Sequence, residues 1–447
     1  MKKVLIANRG EIAVRIIQSL KELNIQSVAV YSTADRDSLH VALADESYCI
    51  GPAATAESYL DIKKILQVAQ LADADAVHPG YGFLAESEKF ARACEKEGLI
   101  FIGPTAATIE LMGDKSQAKA TAEKNGLPIV PGSDGIIRSR EHAHQVAESI
   151  GFPLVIKAVS GGGGKGMRVV QYPEDFDRLY SEAKKEAENA FGDQRVYIEK
   201  FIQDARHIEV QVLGDGKGHA VHLYERDCTI QNHNQKLIEE APASILNEDS
   251  RRDILETTAA FARNIKYRSA GTVEFLYLPS EDAFYFMEMN TRIQVEHCVT
   301  EMITGIDIVA EQIHVAFDEE LTIQQEDIHL QGVAMEVRVN AEDPERNFSP
   351  SPGPVDQLHF GKGRNVRIDS HIYPGYTISP YYDAMIAKII VQGKDREDVI
   401  ARMSRVLDET VIGPIKTNLA FQRFLMDHPQ FRSNDYDIHF LDKNNLV

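Results

Sequence analysis

Residues 271–297 read GTVEFLYLPSEDAFYFMEMNTRIQVEH, and this stretch decides which kind of fold the chain adopts. Two runs of apolar and aromatic residues flank a polar cluster at 279–282, which is the pattern of a β-hairpin. Glu274 and Glu288 lie seven positions before and after residue 281, so we expect them to face each other across the hairpin. Like charges placed opposite each other are destabilising, and a divalent cation between them removes that repulsion.

Oxygen ligands on this hairpin suit magnesium or manganese. Glu288 and Asn290 alternate along one face of a strand, and with Glu274 they offer the hard donors that Mg²⁺ prefers and can share with phosphate oxygens. Two solvated glutamates on an open sheet face would give the same pattern. We favour the metal site, formed by Glu274, Glu288 and Asn290.

Two charged residues follow the hairpin. The guanidinium of Arg292 can hold a planar anion through two hydrogen bonds, and the carboxylate of Glu296 could serve as a general base. Each residue taken singly is more often part of a surface ion pair.

A glycine-rich turn follows an earlier apolar strand. Residues 152–159 contain Lys157 and precede SGGGGKGM at 160–167, after which another apolar run begins. A strand on each side is the wrong context for a Rossmann turn or a Walker loop. Backbone N–H groups of a hairpin loop can cover phosphates, with Lys157 and Lys165 adding charge. A floppy surface turn is the alternative, but four consecutive glycines lose more backbone entropy than an ordinary hairpin requires.

The N-terminal part of the chain alternates short strands with helices. The patterns predict strands at 2–8, 27–31, 76–78 and 99–102, and helices from Gly10 and over 61–71. This alternation indicates a parallel, doubly wound α/β sheet. Segments rich in Gly and Pro at 126–135 and 344–354 are candidate joints between domains, and an amphipathic helix is predicted at about 396–409.

Composition narrows the class of protein. The 447 residues include 48 Lys and Arg against 68 Asp and Glu, a net charge of −20, which argues against a protein that coats nucleic acid. The four cysteines form no CxxC pair, which disfavours a zinc site or a disulfide framework. No apolar run reaches the roughly 18 residues of a membrane span, and the N-terminal apolar run is too short for a signal peptide. We therefore expect a soluble, cytoplasmic protein without nucleic-acid or membrane partners.

These motifs resemble those of biotin carboxylase, the ATP-grasp subunit that carboxylates biotin in acyl-CoA carboxylases. The resemblance runs essentially from end to end, and the segments that carry it most specifically are KVLIANRGEIAVRII, HPGYGFLAE, KAVSGGGGKGMRVV, RHIEVQVLGD, QKLIEEAP, FMEMNTRIQVEH and SPYYDAMIAK. It implies a chain of the α/β and α+β classes. A Rossmann-like parallel-sheet domain would span 1–112, an ATP-grasp domain 113–330 with a mobile glycine-loop lid at about 131–203, and a mixed β/α domain 331–447.

The resemblance also implies a reaction and its residues. ATP, bicarbonate and biotin would give carboxybiotin, ADP and phosphate through carboxyphosphate, as the first half-reaction of an acetyl-CoA or related acyl-CoA carboxylase. Catalysis would fall to Glu296 as base and to Arg338, Lys236 and Arg292. Bicarbonate and biotin would contact Lys236, Arg292, Gln294, Val295, Tyr81 and Arg338. ATP would contact Lys115, Lys157, Gly162, Gly163, Gly164, Lys165, Gly166, Glu199, Lys200, Ile202, His207, Gln231 and Leu276.

The implied partners and cofactors follow the same family pattern. We expect two Mg²⁺ or Mn²⁺ ions, a biotin carboxyl carrier protein, carboxyltransferase subunits and a homodimer with Arg15 and Arg364 in segments that resemble family contacts. No lysine in a Met-Lys-Met context occurs, so biotin would arrive on another chain.

The sequence departs from the family at a few positions. Asn232, His233 and Asn234 stand where two arginines are usual, and Cys298 stands where proline is common. Three alternatives therefore stay open: another ATP-grasp ligase that joins a carboxylate to an amine, a paralogue that serves a carboxylase other than acetyl-CoA carboxylase, and a nucleotide-sensing or scaffold protein.

Overall fold

The computed structural model describes residues 2–159, 167–191, 193–233, 235–317, 321 and 323–447. The chain divides into two compact units, which we describe separately. The larger unit comprises Met1–Leu127, Arg206–Phe275 and Met287–Val447, and the smaller unit comprises Pro128–Ala205 and Leu276–Phe286.

The N-terminal part of the larger unit is built on a five-stranded parallel sheet, ordered β3-β2-β1-β4-β5. Its strands are β1 (Lys3–Ile6), β2 (Gln26–Ser32), β3 (Glu46–Gly51), β4 (Ala76–His78) and β5 (Ile100–Phe101). Its helices are α1 (Gly10–Glu22), α2 (Leu39–Leu43), α3 (Ile62–Leu71), α4 (Glu88–Lys96), α5 (Ala106–Gly113) and α6 (Lys115–Lys124). The prediction of a parallel α/β sheet is confirmed.

Helix α1 shows why this sequence folds as it does. Ile12, Ile16 and Leu20 recur at helical spacing and are at most 1% exposed, within a core that they share with β1. The order of the strands places β1 beside β4, where the winding of the sheet reverses direction. Ligands of open α/β sheets bind at the carboxyl ends of the strands at such a point.

The smaller unit contains a three-stranded antiparallel sheet ordered β7-β6-β8. Its elements are α7 (Arg140–Ile150), β6 (Leu154–Ala158), β7 (Met167–Val170), α8 (Phe176–Phe191) and β8 (Val196–Lys200). Phe176, Ile156 and Ile198 lie in its apolar core. The glycine-loop residues predicted to cover phosphates, Gly162, Gly163, Gly164, Lys165 and Gly166, lie outside the described residues.

The largest sheet described has eight strands, ordered β13-β12-β9-β10-β11-β14-β20-β18. Its strands are β9 (Arg206–Asp215), β10 (Ala220–Asn232), β11 (Gln235–Ala241), β12 (Arg268–Leu278), β13 (Ala283–Asn290), β14 (Val333–Asn340), β18 (Val366–Ser370) and β20 (Met385–Gly393). Helices α9 (Glu248–Asn264), α10 (His297–Thr304) and α11 (Ile308–Ala316) accompany it. The predicted hairpin is present as β12 and β13, which are neighbours in the sheet.

The C-terminal part of the larger unit adds small sheets and helices to the large sheet. Its remaining elements are β15 (Glu342–Asp343), β16 (Ser349–Pro350), β17 (Gly353–His359), β19 (Thr377–Ile378), α12 (Arg396–Glu409), β21 (Val411–Pro414), α13 (Leu419–Asp427), α14 (Pro429–Arg432) and α15 (Phe440–Lys443). Helix α12 confirms the predicted amphipathic helix, because Val399, Met403 and Val406 are completely buried.

One predicted joint between domains is wrong. The segment 344–354 does not separate the compact units. A 3-10 turn begins at Pro344, β16 returns to pair with β15, and β17 starts at Gly353. Pro and Gly therefore mark tight turns inside one unit here. Within the part of the chain that the structure describes, none of the helices combines the length and the apolar content needed to cross a bilayer.

Candidate active site

A cavity of about 510 Å³ opens in the larger unit, at the carboxyl ends of β1 and β4. The residues that the site argument uses are Tyr81, Lys236, Arg292, Val295 and Arg338, all of which line it. The turn after β1, residues 8–12, and most of the segment 381–385 before and at the start of β20 also line it. The sequence prediction placed these five residues around bicarbonate and biotin.

Lys236 on β11 is surrounded by carboxylates. Its Nζ donates to Glu296 Oε1 at 2.5 Å, to Glu209 Oε2 at 2.6 Å and to Glu274 Oε1 at 3.2 Å. Burial alone would lower the pKa of Lys236, but these carboxylates raise it well above its usual value. The side chain is therefore a cation at neutral pH, close to the cavity wall.

Arg338 on β14 binds the other oxygen of the same glutamate. Its Nη2 donates to Glu296 Oε2 at 3.0 Å, and its Nε donates to Glu239 Oε1 at 2.6 Å. Burial raises the pKa of Glu239 to about 7, although Arg338 opposes that shift. The Nδ2 atom of Asn418 donates to the backbone carbonyl of Arg338 at 3.0 Å, which fixes β14 at this residue.

Glu296 is therefore held from both sides by cations. It immediately precedes α10, and its side chain does not cap that helix. Burial would raise the pKa of Glu296, but Lys236, Arg338 and Arg226 together lower it well below its usual value. The group is a carboxylate at neutral pH, which is the form that a general base requires.

Arg226 on β10 is a residue that the sequence analysis missed. It is completely buried, and all five of its N–H donors are used. Nε donates to Glu209 at 2.6 Å, and Nη2 donates to Gln294 Oε1 at 2.9 Å. The remaining donors reach Gln211, Thr300 and Thr272. The guanidinium thus fixes Gln294 from inside the protein.

The acids predicted to bind metal lie in a strongly charged environment. Glu274 Oε1 accepts hydrogen bonds from Asn290 Nδ2 at 2.9 Å and from Gln294 Nε2 at 2.7 Å. Burial would raise the pKa of Glu274, but Lys236 and His207 lower it far below its usual value. Burial and the charge of Glu274 raise the pKa of Glu288. The carboxylate of Glu274 therefore disfavours the ionised form of Glu288.

Arg292 lies between the predicted metal ligands and the cavity. Its Nη2 donates to Asn290 Oδ1 at 2.9 Å, and its Nε donates to Glu86 Oε2 at 2.9 Å. Glu86 also accepts from the backbone N–H of Thr291 at 3.1 Å, which fixes the chain next to Arg292. Glu86 is a second residue near the site that the sequence analysis did not identify.

The residues predicted to lie along ATP are distributed over both units. In the larger unit, His207 Nε2 lies 3.3 Å from Glu274 Oε2, and its Nδ1 lies 3.1 Å from Gln231 Nε2. Lys115 begins α6 and acts electrostatically on Glu288.

In the smaller unit, three residues of the predicted adenine pocket, Glu199, Lys200 and Ile202, lie on β8 or just after it. Lys157 Nζ donates to Glu199 Oε2 at 2.9 Å, and Lys200 Nζ pairs with Glu281 Oε2 at 2.6 Å. Ile202 follows β8, and Leu276 is on the part of β12 that belongs to this unit.

Four cations from neighbouring strands converge on one turn. Arg226 binds the side chain of Gln294, Lys236 and Arg338 bind Glu296, and Lys388 on β20 donates to the backbone carbonyl of Val295 at 2.8 Å. The strands β10, β11, β14 and β20 are consecutive in the sheet. We name residues 292–296, between β13 and α10, the catalytic turn, after the role that the sequence analysis predicts for Glu296.

Comparison with known proteins identifies the family. Three family models match in succession: the biotin carboxylase N-terminal domain at 1–109, the ATP-binding domain of the carbamoyl-phosphate synthase L chain at 114–324, and the biotin carboxylase C-terminal domain at 336–443. The chain is 51% identical over 447 residues to biotin carboxylase 1 of Bacillus subtilis (strain 168), covering all of this chain and 99% of that protein. The chain belongs to the biotin carboxylase family.

Two solved structures show how broad this family is. The fold matches the biotin carboxylase domain of a thermophilic 2-oxoglutarate carboxylase with a TM-score of 0.95 at 45% identity, covering 99% of this chain and 98% of that one. It also matches the biotin carboxylase subunit of pyruvate carboxylase with a TM-score of 0.93 at 45% identity, with the same coverage of both chains. The chain is thus an ATP-dependent ligase of the biotin carboxylase family, and the predicted fold class is confirmed.

The departures from the biotin carboxylase pattern fall at two places. Asn232 ends β10 and is buried, and its Oδ1 has no hydrogen-bond partner among the described residues. His233 adopts a positive φ of 48°, and Asn234 lies outside the described residues. Cys298 is completely buried, and its Sγ lies 3.1 Å from both Asp369 Oδ2 and Lys388 Nζ.

Proposed function

We propose that this chain carboxylates biotin on a carrier protein, with consumption of ATP and bicarbonate and with carboxyphosphate as the intermediate. One observation carries the proposal. Lys236 and Arg338, which line the cavity, each donate a hydrogen bond to one of the two carboxylate oxygens of Glu296. A charged base between two cations suits a substrate that is itself an anion and has to lose a proton.

Bicarbonate is the anion that fits this arrangement. Lys236, Arg292, Gln294 and Val295 would frame it, and its negative charge would compete with Glu296 for the ammonium of Lys236. The pKa of Glu296 would then rise from its strongly lowered value in the free chain, which makes the carboxylate a better proton acceptor. Deprotonated bicarbonate would attack the γ-phosphorus of ATP, with ADP as the leaving group.

The second step would take place beside Arg338. Carboxyphosphate would break into CO₂ and phosphate, and the phosphate would accept the ureido proton of biotin. The enolate oxygen that develops on biotin needs a fixed cation, and the guanidinium of Arg338 lines the same cavity as Tyr81. Tyr81 would lie near the biotin ring.

The residues present fit a divalent cation. The charge of Glu274 acts on Glu288 as one negative charge on another. Asn290 donates its amide N–H to Glu274, and its amide oxygen, which accepts from Arg292, is a further donor atom for a cation. This oxygen-rich donor set is typical of Mg²⁺ or Mn²⁺ rather than of zinc or copper. The ion would neutralise charge on the phosphates of ATP. We propose that two such ions bind, with Glu274, Glu288 and Asn290 as their protein ligands.

The remaining nucleotide contacts rest on the resemblance to the family. The adenine would contact Glu199, Lys200, Ile202 and Leu276. The ribose and phosphates would contact His207, Gln231, Lys115 and Lys157, with the glycine loop at 162–166 as the lid. These assignments give the smaller unit the role of recognising the adenine ring of ATP. They stay predictions.

The partners are proposed on the same ground. A biotin carboxyl carrier protein would supply biotin, carboxyltransferase subunits would take the carboxyl group, and the chain would act as a homodimer in the cytoplasm. Arg364 is exposed, whereas Arg15 is buried and pairs with Glu301 at 2.9 Å. The solved relatives include parts of pyruvate and 2-oxoglutarate carboxylases, so the final acceptor need not be acetyl-CoA.

Substrate-dependent phosphate release tests the proposal. ATP turnover by the full chain with Mg²⁺ should require bicarbonate and should rise when free biotin is added. Formation of carboxybiotin from ¹⁴C-bicarbonate should match the biotin-dependent part of that turnover. Turnover that needs an amine and no biotin would instead support a carboxylate–amine ligase, and ATP binding without turnover would support a nucleotide sensor.

A further inference from the structure

We propose that Lys388 is a positioning residue for the carboxylation reaction: by holding the carbonyl of Val295, it fixes the catalytic turn relative to Arg338. The inference rests on the proposed function and extends it to a residue that does not line the cavity. Lys388 is completely buried in the middle of β20. Its ammonium therefore acts only through the groups packed around it.

The sheet places Lys388 next to a residue of the proposed chemistry. Lys388 pairs in register with Arg338 on β14 and with Asp369 on β18. Two cations opposite each other on neighbouring strands are destabilising, and the burial of an ammonium group removes its hydration, which adds a further penalty. The carboxylates of Glu11, Glu336 and Asp369, with the Cys298 sulfur, raise the pKa of Lys388 well above its usual value against the effect of burial.

The ammonium of Lys388 donates a hydrogen bond to the backbone of the catalytic turn. Its Nζ lies 2.8 Å from the carbonyl oxygen of Val295 and 3.1 Å from Cys298 Sγ. Val295 lines the cavity and directly precedes Glu296. A hydrogen bond from a charged donor is about twice as strong as a neutral one, so this contact ties the turn firmly to the sheet strand beside Arg338.

The same ammonium also contacts a second residue of the cavity wall, Glu11. Lys388 Nζ lies 3.3 Å from Glu11 Oε1, and that oxygen accepts a short hydrogen bond from the hydroxyl of Tyr81. Glu11 and Tyr81 both line the cavity. One buried cation therefore sets the separation between Tyr81, on the side proposed for biotin, and Val295, on the side proposed for bicarbonate.

A displacement of the turn should affect the chemistry more than the nucleotide. Misplacement of a reacting group by about 1 Å can reduce a rate by about 10²-fold. The hydrogen bonds and ion pairs of Lys388 with described residues reach none of the residues proposed to bind ATP. Loss of Lys388 should therefore lower turnover and raise the KM for bicarbonate while the affinity for ATP stays the same.

The main test is the double variant Lys388→Met with Glu11→Gln. The pair of substitutions removes one positive and one negative charge, Asp369 keeps its ion pair with Arg367, and the glutamine introduced in place of Glu11 can still accept from Tyr81. The comparison variant Lys388→Gln with Glu11→Gln restores a neutral N–H donor. The matched control is Lys394→Met, because Lys394 lies just beyond β20 with its side chain 80% exposed. Each protein is assayed for kcat, for KM of bicarbonate and biotin, and for Kd of ATP by calorimetry.

We expect kcat of the Met–Gln variant to fall by about 10²-fold, with the KM for bicarbonate raised and the Kd for ATP within about twofold of wild type. The Gln–Gln variant should recover part of the loss, and the control should match wild type. Wild-type kinetics in the Met–Gln variant would overturn the inference, and so would a loss of ATP affinity that parallels the loss of turnover.

Folding does not leave the test undecided. If the Met–Gln variant fails to fold, the Gln–Gln variant decides: a raised KM for bicarbonate with unchanged ATP affinity supports the inference, and a wild-type KM refutes it. The proposed function fails separately, if the wild-type chain itself shows no turnover that depends on bicarbonate and biotin.

Discussion

The replacement Arg226→Lys is the most direct test of the buried network around the active site. The substitution keeps the positive charge and most of the volume, but it replaces five donors in a planar fork by three on one nitrogen. At least two of the five acceptors that Arg226 serves must therefore lose their partner. A buried polar atom left unpaired costs about 1–3 kcal/mol, so we expect the free energy of unfolding to fall by about 2–6 kcal/mol.

The assay compares thermal unfolding and turnover. At about 2.1 cal/mol/K of unfolding entropy per residue, a chain of this length loses roughly 1 °C in Tm per kcal/mol, so Tm should fall by about 2–6 °C. Bicarbonate-dependent ATP turnover should fall by about tenfold or more, because Gln294 loses its anchor. The control is Arg252→Lys, at an exposed arginine that pairs with Asp249. A Tm of Arg226→Lys within 1 °C of that control would refute the reasoning.

Three further outcomes follow from the site and the core. Glu296→Gln should lower bicarbonate-dependent turnover by about 10²-fold or more, as expected for loss of a general base; near-wild-type kcat would remove Glu296 from that role. Glu288→Lys should abolish Mg²⁺-dependent turnover of ATP, and an unchanged metal titration would refute the ligand assignment. Burial lowers the pKa of His40 to about 4 from its usual 6.5, so below pH 6.5 the unfolded chain binds a proton that the folded chain does not. The folded state should therefore lose about 2 kcal/mol of stability through this group between pH 8 and pH 5. Urea unfolding of His40→Gln should show a pH dependence smaller by that amount, and an identical pH dependence would contradict it.

Much of the fold could be predicted from local patterns. The helix α12 could be predicted because its apolar residues recur at the period of a helix, and the strand at 76–78 because it is a short apolar segment between helices. Strand β3 was missed because it forms the edge of its sheet. Its sequence ESYCIG leaves several residues partly or fully exposed, so it shows no apolar run.

The candidate site could be predicted only in part. Glu274, Glu288 and Asn290 lie on one hairpin, and their relation could be worked out from spacing along the chain. Arg226 lies in the charged segment ERDC, which has the composition of a solvated surface. Its partners are 15 to 74 residues away in the sequence, and only the pairing of distant strands brings them together. Lys388 in SPYYDAMIAK was part of a family motif, but its partner is a backbone carbonyl, which no sequence pattern reveals.

The cations on the large sheet position the catalytic turn more than they stabilise the fold. Buried ion pairs contribute little to stability, since apolar residues of the same shape often do as well or better. Stability alone therefore does not account for two buried cations, Arg226 and Lys388, and two partly buried ones, Lys236 and Arg338, on four consecutive strands. All four side chains donate hydrogen bonds to atoms of residues 294–296. Hydrogen bonds from different strands of one sheet reach three successive residues of the turn. They fix the side-chain amide of Gln294, the backbone carbonyl of Val295 and the carboxylate of Glu296 independently of one another. Such independent control is what a base and an anion site need when the reaction depends on sub-ångström placement. It makes the catalytic turn, rather than the hairpin proposed to bind the metal, the part of the site that the fold is most strongly built to hold.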